Sequence, residues 1–249
     1  MEFELHEQGM PEGGLYRAGR WTDVASFPQP AEAISPRLFS AGPPLVDGYP
    51  RWEDAYGRFS TAKFSVSAKS AIGRTLAGYR RFERDDTGIL NILKGFFTSE
   101  FDNPNEPELV EGTIPRDYFK NTRLLHLGYD ENVSFIDVED QRTRHTLEDL
   151  LAGPLQALGV ANGDGLSQHR DRRVTRIVMS MLHDICRHDR NRQHIAGIRY
   201  RAPEPDWEAF VLWNPPPPSI DLSAATVDPI FPMDPNLVDA AKSLGLSIP

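Results

Sequence analysis

Among its 249 residues the chain has one cysteine, Cys186. A single thiol closes no intramolecular disulfide and builds no multi-cysteine zinc site. No stretch approaches the roughly 18 consecutive apolar residues that a membrane span needs. The acidic start of the chain also lacks the basic and apolar blocks of a secretory signal. These absences predict a protein of the reducing cytoplasm with no membrane partner. Positive charge is in short supply as well. Lys and Arg number 27 against 36 Asp and Glu, a net charge of -9, whereas a nucleic-acid binder usually has a basic balance, so no direct nucleic-acid contact is expected. Two nucleotide signatures are missing. Without G-x-G-x-x-G a Rossmann cofactor site has no support, and the P-loop pattern is absent too. No internal repeat is found.

What is present is an ordinary globular composition, 39% hydrophobic and 25% charged, long enough for one large domain or two small ones. Residues 1–13 are polar and read as a loose arm. Leu15-Tyr16-Arg17-Ala18-Gly19-Arg20 reads as a short strand. Residues 22–52, with six prolines, read as a long connection. Gly57-Arg58-Phe59-Ser60 reads as a turn, followed by a strand and by a helix carrying Ala71, Ile72, Thr75, Leu76, Tyr79 and Phe82 at spacings of three and four. A short helix is expected around Ile89 to Phe97, then an exposed loop at 102–105. Strands are expected at Leu124 to Leu127 and Val133 to Val138, and a helix from Thr143 to Leu158. A second helix, Arg173 to His188, has Val174, Ile177, Val178, Met181, Leu182 and Ile185 as its apolar stripe. Gly197 to Tyr200 and Ala209 to Trp213 read as an antiparallel pair. After Pro215 to Pro218 the expectation is a proline-punctuated tail, 215–249, with a short helix at Leu237 to Leu244. Strands and helices do not alternate regularly, so the fold class is α+β, not a doubly wound sheet.

Several chemical candidates come from residue type and spacing. An arginine on a glycine turn beside a strand suits gripping a phosphate, because its planar fork donates two parallel hydrogen bonds. His183 and His188 are five apart, about 140° around a helix, so they do not share a face as metal ligands would; a solvated helix end accounts for them, for Cys186 and for Asp184. The basic run from Arg170 to Arg201 reads as the charged outer face of a core helix. Trp207 and Trp213 read as core. Asp137 ends a strand and can either cap the next turn or serve as a catalytic carboxylate.

Taken in order, these pieces resemble the RES domain, a family marked by an Arg, a Glu and a Ser. Leu15-Tyr16-Arg17 matches its Tyr-Arg strand and Gly57-Arg58-Phe59 its Gly-Arg-Phe turn. Ile114-Pro115 and Phe135-Ile136-Asp137 resemble its proline and its strand bearing an Asp. Arg172-Arg173-Val174-Thr175 matches a helix that starts Arg-x-x-Thr. Gly197-Ile198-Arg199-Tyr200-Arg201-Ala202 resembles its Gly-Ile-x-Tyr-x-Ser strand, and a strand from Trp207 to Trp213 follows. The resemblance runs over residues 14–214. It implies an ADP-ribosyltransferase-like fold with a mixed, mainly antiparallel β core and surrounding helices. It also implies NAD as substrate, no metal, cleavage of the nicotinamide bond or transfer of ADP-ribose, and a protein antitoxin as partner.

The resemblance assigns ligand binding to Tyr16, Arg17, Arg58, Phe64 and Arg74. Three of the family's positions depart from its pattern. Arg74 stands at the Glu, Ala202 at the Ser, and Phe64 at a Tyr. From Lys63 to Phe82 there is no acid at all. Departure of nicotinamide leaves a cationic ribose that a carboxylate would stabilise, and an arginine there is electrostatically hostile. Glu83 lies nine residues beyond Arg74, about half a turn away on a continuous helix. Glu53, Asp54 and Glu100 are the other acids to weigh. Three readings stay open: an NAD-cleaving enzyme with a relocated carboxylate, a RES-type protein that binds an anionic or nucleotide ligand without cleaving it, and an interaction protein.

Overall fold

The computed structural model describes residues 3–20, 55, 58–77, 112–160, 166, 172–201, 208–214, 216–217, 220 and 224–249. Among them are eight strands and five α-helices, with mainly antiparallel pairing, an α+β fold. The strands are β1 (Glu7–Gly9), β2 (Leu15–Arg20), β3 (Ser60–Ser65), β4 (Thr122–Leu127), β5 (Ser134–Asp137), β6 (Ile195–Arg201), β7 (Glu208–Asn214) and β8 (Thr226–Pro229). The helices are α1 (Ala68–Leu76), α2 (Arg116–Asn121), α3 (Gln141–Ala157), α4 (Arg172–His188) and α5 (Pro235–Ser243). The chain divides into two compact units. As far as they are described, unit 1 takes residues 3–15, 55–66 and 127–225, and unit 2 takes residues 16–20, 67–126 and 226–249.

In unit 1 the strand order is β1-β5-β6-β7-β3. Only β5 and β6 run parallel; the other three pairings are antiparallel. Along β5, β6 and β7 the residues Ile136, Ile198, Tyr200, Ala209, Val211 and Trp213 are buried together with Leu147, Leu151 and Leu155 of α3 and Val174, Val178 and Leu182 of α4. The period of two on the strands and of three and four on the helices brings these sets into one core. Helix α3 begins at Asp140, whose carboxylate accepts from the Arg142 N–H at 2.9 Å. Its Arg142 partner holds the Asp140 carboxyl below the usual carboxylate range.

Two expectations change here. The arm read at residues 1–13 contains β1, which pairs with β5 from Glu7↔Ile136 to Gly9↔Ser134. Three residues are too few to show alternation, but β5 offers them an edge. The segment 215–249, read as a tail, supplies β8 and α5 to unit 2. There β4 lies between β2 and β8 and pairs antiparallel with β8. Helix α5, expected over 237–244, is capped by Asp234, with Pro235 opening it, and packs on α1. Ser247 donates its N–H to Gly112 O at 2.9 Å and accepts from Ile114 N–H at 3.0 Å. The short helix expected at Ile89 to Phe97, the loop at 102–105 and Trp207 lie outside the described residues.

Gly197 shows why β6 needs a glycine in mid-strand. A Cβ built there would sit 1.7 Å from Val211 O of β7. The obstruction is backbone, so no rotamer change relieves it. Gly197→Ala should destabilise the protein by roughly 1–3 kcal/mol or more, read as a lower denaturant midpoint.

Candidate functional site

Helix α4 carries two stripes. At about 100° per residue, its apolar residues occupy one side, while Arg173, Arg176, Ser180, His183, Asp184 and Arg187 fall within about 100° on the other. Every residue from 173 to 180 is buried on both stripes, with Arg173 only 3% and Arg176 0% exposed. A charged outer face is therefore wrong for Arg173 and Arg176 of the basic run, while Arg190 and Arg201 are exposed as expected. Charge periodicity alone does not tell a solvated stripe from a covered one.

The segment before β3 docks on this polar stripe. The Ala55 N–H donates to Ser180 Oγ at 2.7 Å, and that hydroxyl donates to Arg176 O at 2.9 Å. One helical turn further, Arg58 Nη1 donates to both oxygens of Asp184, at 2.9 and 3.0 Å. Phe59 stacks on the His183 ring with centroids 4.0 Å apart and planes 19° apart. Trp213 meets the same imidazole edge-on at 5.3 Å and is held by its own N–H to Met179 Sδ. The Arg187 guanidinium lies 6.0 Å from the Trp213 ring centroid. The stripe opens toward solvent at this end, where the Arg58 and Asp184 side chains are 42% and 37% exposed.

His183 is mostly enclosed, with a side chain 17% exposed. The expectation of a solvated helix end fails for it and for Cys186, which is buried in the core. Burial first, then the Arg187 and Arg58 guanidinium groups, push the His183 imidazole below its ordinary range, against the pull of Asp184. Asp184 Oδ1 stands 3.6 Å from His183 Nδ1, too far for a full hydrogen bond, so the pull does not restore the charge. His183 is therefore neutral near pH 7. Burial raises the Cys186 thiol to about 12, which leaves it inert as a nucleophile.

The other candidates are placed as follows. Tyr16 stacks on His126 in unit 2, with centroids 4.5 Å and planes 16° apart. Arg17 lies on β2 in that unit. Arg74 is half-buried in the last turn of α1, a helix capped by Ser67 and without a carboxylate. Next to it Thr75 donates to Ile72 O and so accepts from the Tyr118 hydroxyl at 2.7 Å, which ties α1 to α2. Phe64 is on β3 opposite Phe210 and only 2% exposed, a ring packed inside the protein. Arg58 belongs to unit 1, as does Asp184, expected at a solvated helix end and found as the ion-pair partner of Arg58. Ala202, Glu53, Asp54, Glu83 and Glu100 lie outside the described residues. Asp137 caps its turn, accepting from the Glu139 N–H at 2.9 Å, and is ion-paired with Arg199 at 2.8 Å. Arg199 in turn binds Glu208. Among the described residues, no group of three or more His, Cys, Asp or Glu is arranged to hold a metal.

A histidine kept neutral by the fold binds fewer protons than in the unfolded chain. Its contribution to stability is complete above the ordinary value near 6.5 and is lost as pH falls from there toward the lowered folded value. His183→Phe keeps a flat ring on Phe59 and removes the titration. Denaturant unfolding at pH 7.5 and 5.5 should show a smaller loss of stability on acidification in the variant than in the wild type. No family model, curated protein or solved structure matches the chain.

Proposed function

We propose that this is a RES-type protein that binds NAD, or another phosphate-bearing ligand of that class, and has lost the family's ordinary NAD cleavage. The carrying observation is α1, whose nine residues include Arg74 and no acid. Loss of one well-placed stabilising group costs ~10²–10³ in rate, and an opposite charge costs more. In support of binding, Arg58 is partly open to solvent and has a neutral histidine, His183, near it. A protein antitoxin as partner belongs to the same reading.

One observation favours a second reading. The Asp184 carboxylate lies against Arg58, and a relocated acid of that kind would let cleavage persist.

Purified protein incubated with NAD should release no nicotinamide above a blank. NAD at about 100 times its Kd should raise the melting temperature by about 5–10 °C, and Arg58→Ala should reduce that rise. Turnover abolished by Asp184→Asn would establish the second reading. Neither turnover nor a thermal shift would sink both.

A further inference from the structure

We propose that Asp184 selects among phosphate-bearing ligands by charge, admitting phosphodiesters to Arg58 and disfavouring terminal phosphates. The proposal rests on the reading that Arg58 meets a ligand phosphate, and it names which class of phosphate the residue accepts.

The geometry sets the selection. Both Asp184 oxygens lie within 3.0 Å of Arg58 Nη1, so an anion that engages this guanidinium arrives beside a carboxylate. The backbone on both sides of the pair is anchored. The chain on the arginine side is held by the Ala55–Ser180 hydrogen bond and by Phe59 on His183. Asp184 itself sits on α4 between those two anchoring residues and Arg187. The pair is open enough for a ligand to reach it.

A terminal phosphate carries close to two negative charges at pH 7, with a second pKa near 6, whereas each phosphate of a pyrophosphate diester carries one. One extra unit of repulsion at about 5 Å, at the bulk-water dielectric that suits an exposed pair, amounts to a discrimination on the order of fivefold. Ligand hydroxyls are free to donate to the same carboxylate, which a terminal phosphate oxygen is not.

ADP and ADP-ribose form a matched pair of probes, differing in whether the second phosphate is terminal or esterified. Their Kd values are measured by calorimetry at low salt on wild type, Asp184→Asn and Arg58→Ala. The wild type should prefer ADP-ribose, and Asp184→Asn should narrow the ratio of the two Kd values about fivefold, mainly by tightening ADP. Arg58→Ala should weaken both. In the wild type, raising the salt to 0.5 M should shrink the ratio by screening, an effect that a purely structural role for Asp184 does not give. Should the Asn variant lose its fold, Asp184→Ser carries the same expectation, and the salt series needs no variant.

A ratio that stays put in folded Asp184→Asn or Asp184→Ser, or one insensitive to salt, overturns the proposal. If Arg58→Ala still weakens both nucleotides, the reading of Arg58 as a phosphate contact survives that failure. If neither nucleotide binds the folded wild type, the reading and the proposal fall together.

Discussion

Helix α4 buries two opposite faces, and the two make different demands on what covers them. The apolar side needs only matching volume, which β5–β7 and α3 supply. The polar side needs partners at set distances and angles, because a buried polar group left without one costs more than an apolar contact gains. Ala55, Arg58 and Phe59 meet that side at three successive points: a backbone N–H for Ser180, a guanidinium for Asp184 and a ring against His183. The position of Arg58 is thus a consequence of α4. Arg58 is held here by the side chains that α4 presents to it and to Phe59.

The far end of the unit 1 strands shows the same coupling of charge to backbone. Asp137 and Arg199 are paired residues in the parallel ladder of β5 and β6, and Arg199 and Glu208 lie near the end of the β6–β7 pairing. One arginine therefore ties three adjacent strands through two carboxylates. Breaking a buried pair of this kind costs more than forming it gains, because it leaves an uncompensated charge. Asp137 is accordingly committed to structure, both through Arg199 and through the turn it caps.

Patterns with a strong period were legible in the sequence. Alternation marks β5, a continuous apolar run marks β7, the three-and-four spacing marks α3 and α4, and Leu15–Arg20 has the bounds its residues suggest. What escaped was short or depended on distant partners. Glu7–Gly9 and Thr226–Pro229 are too short to show a period, and their strand character comes from the edges of β5 and β4. On α4 the apolar stripe is legible, yet the polar residues at 173, 176, 180, 183, 184 and 187 have the same helical spacing, and the arginines, His183 and Asp184 among them look solvated by residue type alone. A polar stripe as regular as the apolar one was the available signal. That it is covered depends on contacts between residues more than 100 positions apart, such as Ala55 with Ser180.

Residues 226–249 complete unit 2, with consequences for how a nascent chain acquires it. Strand β4 pairs with β8 in a register that joins His126 to Thr226, and Thr113 meets Ser247, 134 positions away. At about 5–20 residues per second, translation reaches β8 some 5–20 s after β4. Throughout that interval one side of β4 has neither its strand partner nor α5 nearby. An unpaired edge invites mispairing, and contacts this distant in sequence form slowly. The conservative order of assembly is therefore one in which unit 2 closes last, and the interval before its closure is when the chain has most need of a chaperone.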